Sequence, residues 1–433
     1  MKKRVSLLIL ACLIISVATS GCFDAAEVDD EVYALNLGLD KGTTNKIRIT
    51  IQYPTYKSGG GGGGQGQDNK NKGGMGESNE APGANTHTVE ASTILEALDM
   101  YGMAISRRVS LMHTKNLIIS EDLAKSGMER YLAPLARFRE TRRVMNVAVV
   151  KGTAQDFIKA DKSNIGESQA KAIELMAMQS NNTSFFPRVT FYDFYRQLLS
   201  PYEHGYAVYA GINEFSSLPE TTPKEGEAPL VVDKGFEPGK IPRSGVASRE
   251  YVGTAVFLGD KMVGALNSEE TRFFLMIKGQ FKRGIIVFKD ERSPEDAIPL
   301  DMRPSRKPAV KGYYKKGKPV IDLKLEMEAD IGAIQSRINY ENKDEIEKLN
   351  KQAEDHIKER VINVIQKCRN EYKTDIFGFG RKFAGYFPTI QKWEEYNWLS
   401  HFSEVEVKVQ VNVNIRRTGL MIGSSKLRKG TGH

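Results

Sequence analysis

KDEIEKLNKQAEDHIKERVINVIQKCRNEYK (residues 343–373) and VEVKVQVNVNI (residues 405–415) decide the fold. In the first stretch Ile346, Leu349, Ala353, Ile357, Val361, Ile365, Cys368 and Tyr372 recur at steps of three and four. Such spacing draws one apolar stripe along an α-helix, with Glu and Lys on the other side. Steps mostly of four depart from a heptad seam, so packing on a sheet is expected rather than a coiled coil. In the second stretch Val405, Val407, Val409, Val411, Val413 and Ile415 alternate with Glu406, Lys408, Gln410, Asn412 and Asn414. A strand that is apolar on one face only takes one helix layer. Residues 326–420 therefore read as a C-terminal domain, a long amphipathic helix packed on an antiparallel sheet. A strand over 318–328, with Val320, Leu323 and Leu325, leads into it.

Upstream, strands and helices alternate, which gives a mixed α/β or α+β class with sheets flanked by helices. Ile47, Ile49 and Ile51 alternate with polar neighbours and follow a GTTN turn, predicting a hairpin over residues 28–53. Thr93 with Glu96 fits a helix capping box. Strands are expected at 115–120 and 144–150, and helices at 121–139 (interrupted near Pro134), 153–160 and much of 162–200. The aromatics at 185–198 (Phe191, Phe194 and Tyr195 among them) are expected in the core. Residues 250–266 read as a second hairpin turning at Gly259-Asp260-Lys261, and 275–278 and 284–289 as further strands. Three domains are expected: 22–205, 206–325 and 326–420, followed by a basic tail at 421–433. The first carries a flexible insertion at 57–87, opening with six glycines, and the second a Pro/Gly-rich loop at 218–248.

The beginning of the chain says where it works. Lys2, Lys3 and Arg4 precede an apolar run from Val5 to Val17, then Ala18-Thr19-Ser20-Gly21 and Cys22. A basic start, a short apolar run and a small-residue zone make residues 1–21 a secretory signal. The run falls short of the roughly 20 apolar residues a membrane-spanning helix needs. The cysteine placed after Gly21 resembles a lipoprotein processing site, although Thr19 stands where Leu is usual. Cys22 is thus the expected lipid attachment site.

Of 433 residues, 40% are apolar and 27% charged, an ordinary globular balance. The formal +8 becomes +5 once the leader removes Lys2, Lys3 and Arg4 and no acid. No concentrated basic face marks a nucleic-acid binder. Cys12 leaves with the leader, so no disulfide pair is expected, and Cys368 falls on the apolar helix stripe as a buried thiol. The histidines at 87, 113, 204, 356, 401 and 433 form no HExxH, and no GxSxG occurs. Gly378, Gly380 and Gly385 miss the GxGxxG spacing and follow a helix. Catalysis, metals and cofactors are not expected. Arg137, Arg139, Arg142 and Arg143 around Glu140 suit an acidic ligand by their forks, or simply a solvated helix end. The second reading is preferred.

Three stretches carry a family resemblance. They are Cys22-Phe23-Asp24 through Gly38-Leu39-Asp40-Lys41-Gly42, then Gly253-Thr254-Ala255-Val256-Phe257 with Asp260-Lys261-Met262-Val263-Gly264, and finally Asp375-Ile376-Phe377-Gly378-Phe379-Gly380 through Trp393, Trp398 and Phe402. In this order they resemble the Ger(x)C (GerAC-type) family, the lipoprotein C subunits of spore nutrient germinant receptors. Phe23 replaces the usual Trp, and the Gly-rich tract is an addition. The resemblance implies three mixed α/β domains and a non-enzymatic protein. It also implies a diacylglyceryl anchor on the outer face of the inner spore membrane, and membrane-embedded A and B subunits as partners in nutrient-triggered germination. Phe377-Gly378-Phe379-Gly380 reads as a candidate docking loop for those subunits, or as a turn whose glycines let helix and sheet approach. A solute-binding lipoprotein serving a transporter is the alternative; it requires two lobes around a cleft.

Overall fold

The computed structural model describes residues 4–6, 30–54, 84–160, 169–215, 230–232, 234–336, 338–340 and 342–417. Cys22 and nearly all of the leader, residues 57–83 of the Gly-rich tract, 218–229 and 233 of the Pro/Gly-rich loop and the basic tail lie outside the described residues.

A small parallel pair, β1 (Glu31–Tyr33) and β5 (Arg108–Ser110), sits apart from two larger sheets. The first large sheet contains β2 (Asn36–Lys41), β3 (Ile47–Pro54), β4 (Ala84–Ala91), β6 (Asn116–Ser120), β7 (Asn146–Val150), β8 (Tyr206–Ile212), β9 (Arg249–Leu258) and β10 (Lys261–Leu266). Its order is β10-β9-β8-β7-β6-β2-β3-β4. The four central strands run parallel and the flanking hairpins antiparallel. The central strands are covered on both faces, and alternation decides which side chain goes where. Leu117 and Ile119 of β6 join the main core, while Ile118 points the other way with Val150, Phe157 and Ile158.

Helices α1 (Ile94–Ile105), α2 (Glu121–Ser126), α3 (Glu129–Arg137), α4 (Ala154–Lys159), α5 (Gln169–Thr183) and α6 (Phe191–Leu198) join or flank these strands. The Thr93 hydroxyl accepts from the Glu96 amide, as the cap pattern predicts. The interruption expected at Pro134 occurs instead at Gly127, whose φ of +108° suits glycine; Pro134 lies inside α3. The Gly-rich insertion expected to reach 87 ends before Ala84, because β4 pairs with β3 along 84–91.

The second sheet contains β11 (Gly284–Asp290), β12 (Ser293–Pro304), β13 (Ala309–Lys315), β14 (Lys318–Ile331) and β15 (Glu406–Arg417). β12 and β13 pair with successive parts of β14, and β15 pairs along most of its length. All pairs are antiparallel except β14 with β15, which run parallel. The expected helix explains this departure. α8 (Lys343–Lys367) is the crossover that returns the chain to the start of β14, as a parallel pair requires.

Leu349, Ala353, Ile357, Val361, Val364 and Ile365 of α8 are buried beneath Val409, Val411, Val413 and Ile415 of β15. Two β15 amides, those of Val413 and Ile415, donate to Glu354 Oε1 and Asn350 Oδ1 of that helix at 3.1 and 2.9 Å. The helix thus caps an otherwise bare strand edge. The segment 275–278, expected as a strand, is the end of α7 (Ser268–Lys278). Asn267 and Glu270 form a reciprocal capping box, and Gly279 closes the helix at φ +72°. α7 is buried almost all round, between the first sheet and α8.

The domain limits drawn at 205/206 and 325/326 do not fall at sheet borders. β8, β9 and β10 complete the sheet begun by β2, and β14 runs straight through 325. One apolar cluster, from Val32 to Ile415, joins both large sheets.

Candidate functional site

The predicted loop after the long helix is where the two sheets are fastened. α8 passes into one π-helical turn at Cys368–Tyr372, which Lys373 ends in the left-handed region. Asp375 follows, fully buried. Its Oδ1 accepts from the amides of Phe377, Gly378 and Phe379 at 3.1, 2.9 and 3.2 Å. Oδ2 accepts from the Gly380 amide at 3.0 Å and Trp398 Nε1 at 2.9 Å. Five donors and no acceptor face the carboxylate, a set that suits its ionised form. Burial outweighs the donors from Trp398, Gly380 and Phe379, so the net shift of its pKa is upward.

The same residue grips the first sheet. The His204 amide donates to the Asp375 carbonyl at 2.7 Å, and the Asp375 amide donates to His204 Nδ1 at 3.0 Å. His204 is therefore the tautomer with a bare Nδ1, and its burial lowers its pKa to about 4. Next to it, buried Glu203 receives Lys278 Nζ at 2.5 Å and Arg381 Nη2 at 2.7 Å, with Arg196 Nη1 at 3.6 Å. Burial raises the Glu203 pKa, but Lys278 and Arg381 outweigh it and the net shift is downward. Lys278 Nζ also donates to the Ile376 carbonyl at 3.1 Å. Segments 203–204, 278 and 375–381 thus form one polar latch.

In the chain by itself the aromatics of this loop are turned inward. Phe377 and Phe379 stack on each other at 5.2 Å and are buried. A Cβ on Gly380 would lie 2.5 Å from Trp398 Cδ1 and from the Tyr202 carbonyl oxygen. Gly378 has φ +79°. At Gly380 a side chain would collide with its neighbours, and the Gly378 backbone is one that favours glycine. Cys368 is buried as expected, and burial pushes its thiol pKa up.

Beside the latch opens a cleft of about 500 Å³. Arg143, Arg196, Arg381, Tyr192, Tyr195, Tyr202 and Ser200 supply its polar lining. Of the predicted arginine cluster only Arg143 lines it, and the buried Glu140 carboxylate is taken by Arg108. Sequence reasoning missed Glu203, His204, Lys278 and Asp375 as a unit. The acid heading DIFGFG, followed by amides in a glycine-rich turn, was the one local signal. Among the described residues no cluster of three or more His, Cys, Asp or Glu is placed to hold a metal. Nor, among them, is any helix long and apolar enough to cross a membrane.

Two family models match the chain. Residues 24–212 match the spore germination protein N-terminal domain, and residues 252–419 the "Spore germination B3/ GerAC like, C-terminal" model. The chain belongs to the GerAC family of spore germination proteins. The GerAC C-terminal match takes in most of β9, together with β10, the latch loop and all of the second sheet. Among curated relatives, spore germination protein YndF of Bacillus subtilis (strain 168) is 24% identical over 97% of this chain and 98% of its own. Spore germination protein KC of the same organism is 23% identical, covering 96% and 97%. Spore germination protein GerQC of Bacillus cereus is 21% identical, covering 94% and 98%. Among solved structures, the crystal structure of the GerBC protein aligns with 90% of this chain and 99% of that one, at 17% identity and a TM-score of 0.47.

Proposed function

We propose that this chain is the lipid-anchored C subunit of a spore nutrient germinant receptor, a non-catalytic component needed for nutrient-triggered germination. The observation that carries this reading is the pair of GerAC-family matches, which together take in nearly all of the chain beyond Cys22. The leader ending in Gly21-Cys22 supplies the anchor. A diacylglyceryl group brings two acyl chains, which hold stably where one holds only marginally. The proposed place is the outer face of the inner spore membrane, with membrane-embedded A and B subunits as partners. The buried acids and the histidine of the latch support a non-catalytic role, since both carboxylates and His204 Nδ1 are engaged in fastening the two sheets. Delivery of a solute to a transporter requires two lobes closing on a cleft; here one core runs through both sheets.

The anchor is tested by growing a sporulating host with radiolabelled palmitate. The chain is expected to carry label, and Cys22→Ala to carry none. Equal labelling of both would refute Cys22 as the attachment site.

A further inference from the structure

The cleft beside the latch has a chemistry the family reading does not use. It is lined by three guanidinium groups, and no carboxylate is among its lining residues. The nearest acid in the latch, Glu203, lies behind the wall, with its two oxygens held by Lys278 and Arg381. Arg196, Arg381 and Lys278 share that one carboxylate, Arg196 at 3.6 Å, and Arg143 forms no ion pair or side-chain hydrogen bond among the described residues. Positive charge is therefore in surplus there.

Aromatic walls flank the arginines. Phe191 and Tyr195, one turn apart on α6, stack with ring centroids 5.9 Å apart. Tyr202 stacks on Trp393 at 5.6 Å, and the Arg381 guanidinium lies 5.8 Å over the Tyr202 ring. Among the described residues the hydroxyls of Tyr192, Tyr195 and Tyr202 have no hydrogen-bond partner. Leu199 and Tyr192 stand largely exposed at the mouth. A concave site of this size, mostly apolar with a few converging polar groups, is the form small-molecule sites take. Guanidinium forks pair with planar or tetrahedral oxyanions, and tyrosine faces take flat apolar bodies.

We propose that this cleft binds a small organic anion, with its carboxylate or phosphate held by Arg143, Arg196 and Arg381 and its apolar body lying on Tyr195 and Tyr202. The site rests on the cleft alone and stands whether or not the chain works at a spore membrane. Occupancy would bridge α6 to Arg381 of the latch loop, so a bound anion would also report on how the two sheets are fastened.

The test is equilibrium dialysis of the full-length chain in nonionic detergent, with detergent alone as the blank. The probes are radiolabelled benzoate and phenyl phosphate, with benzyl alcohol and benzylammonium as neutral and cationic controls. Saturable binding of at least one anion in the millimolar range or tighter is expected, with benzylammonium excluded. Arg143→Glu should weaken it roughly tenfold or more, the loss expected when a charged hydrogen-bond partner is removed. Its melting temperature should be unchanged, because the Arg143 side chain makes no other hydrogen bond or ion pair among the described residues, and its carbonyl, which accepts the Tyr192 amide, is kept. Arg143→Gln provides the same loss of the fork without a new acid, should the reversal disturb folding. Benzoate alone would assign a carboxylate ligand and phenyl phosphate alone a phosphate ester. No saturable binding of either anion, equal binding of benzyl alcohol, or wild-type affinity in both Arg143 variants would overturn the proposal.

Discussion

Replacing Asp375 by Asn removes almost no volume and changes one oxygen to an amide nitrogen. The geometry fixes which oxygen gives way. Keeping the carbonyl at Oδ1 preserves the three amides of Phe377, Gly378 and Phe379. The new NH₂ then faces the Gly380 amide and Trp398 Nε1, two buried donors with nothing to accept them. The opposite flip strands three donors. Each buried donor left unpaired costs about 1–3 kcal/mol, so Asp375→Asn should destabilise by about 2–6 kcal/mol. Trp398→Phe deletes one donor and leaves Oδ2 on Gly380, so its hydrogen-bond loss should be only about 1 kcal/mol, plus a small void. Urea unfolding followed by tryptophan fluorescence suits the question, because the only two tryptophans, Trp393 and Trp398, stack 6.0 Å apart within this region. Far-UV circular dichroism provides the global signal. Asp375→Asn within about 0.5 kcal/mol of wild type would refute the latch, since surface changes produce effects of that size.

Acid should loosen the same junction. His204 is held neutral, with a folded pKa of about 4 against 6.5 when free, so the unfolded chain takes up its proton first as pH falls. Stability present above pH 6.5 is then lost down to about 4, by about 3 kcal/mol in all. Glu203, with a lowered pKa, adds a loss in the same direction below its unfolded value of 4.5. Asp375, whose folded pKa burial raises, offsets part of this acid loss. His204→Asn, whose Oδ1 can still accept the Asp375 amide, should flatten the slope between pH 6.5 and 4 in urea titrations; an unchanged slope would contradict it. Gly380→Ala should cost roughly 1–3 kcal/mol, as overpacked sites do, because its methyl meets Trp398 and a backbone oxygen. A normal melting temperature would show that the contact yields freely. In thiol titration of the mature lipidated protein, Cys368 should stay silent until denaturant exposes it, and Cys22, capped as a thioether, should not react at all. A second thiol after denaturation would mean an unmodified Cys22.

The C-terminal half of the fold was legible where periodicity was long. The α8 stripe and the β15 alternation each repeat many times, and the structure packs them against each other. The direction of β15 was not legible, because alternation says which face is buried and nothing about which neighbour lies beside it. α7 was misread at 275–278 because the run FFLMI is apolar on all sides, as befits a helix buried all round, and such a run lacks any period. β12 and β13 escaped notice through their charged and proline-rich sequences, SPEDAIPLDMRP and AVKGYYK, whose place in the sheet comes from pairing with β14. The latch was hidden for a different reason. Glu203 and Lys278 are 75 positions apart, and His204 and Asp375 are 171 apart, so no local spacing connects them. The loop drew notice for its aromatics and glycines, while the acid at its head organises it.

The central claim concerns what the chain does at the membrane, and one complementation decides it most directly. A spore-forming host lacking its own copy receives the wild-type chain or Cys22→Ala. Spore membranes are fractionated while nutrient-triggered germination is followed by optical density. An anchored receptor subunit predicts that the wild type restores both membrane retention and germination, and that Cys22→Ala leaves the membrane fraction and germinates slowly. Full membrane retention and unchanged germination with Cys22→Ala would contradict the anchored-subunit function.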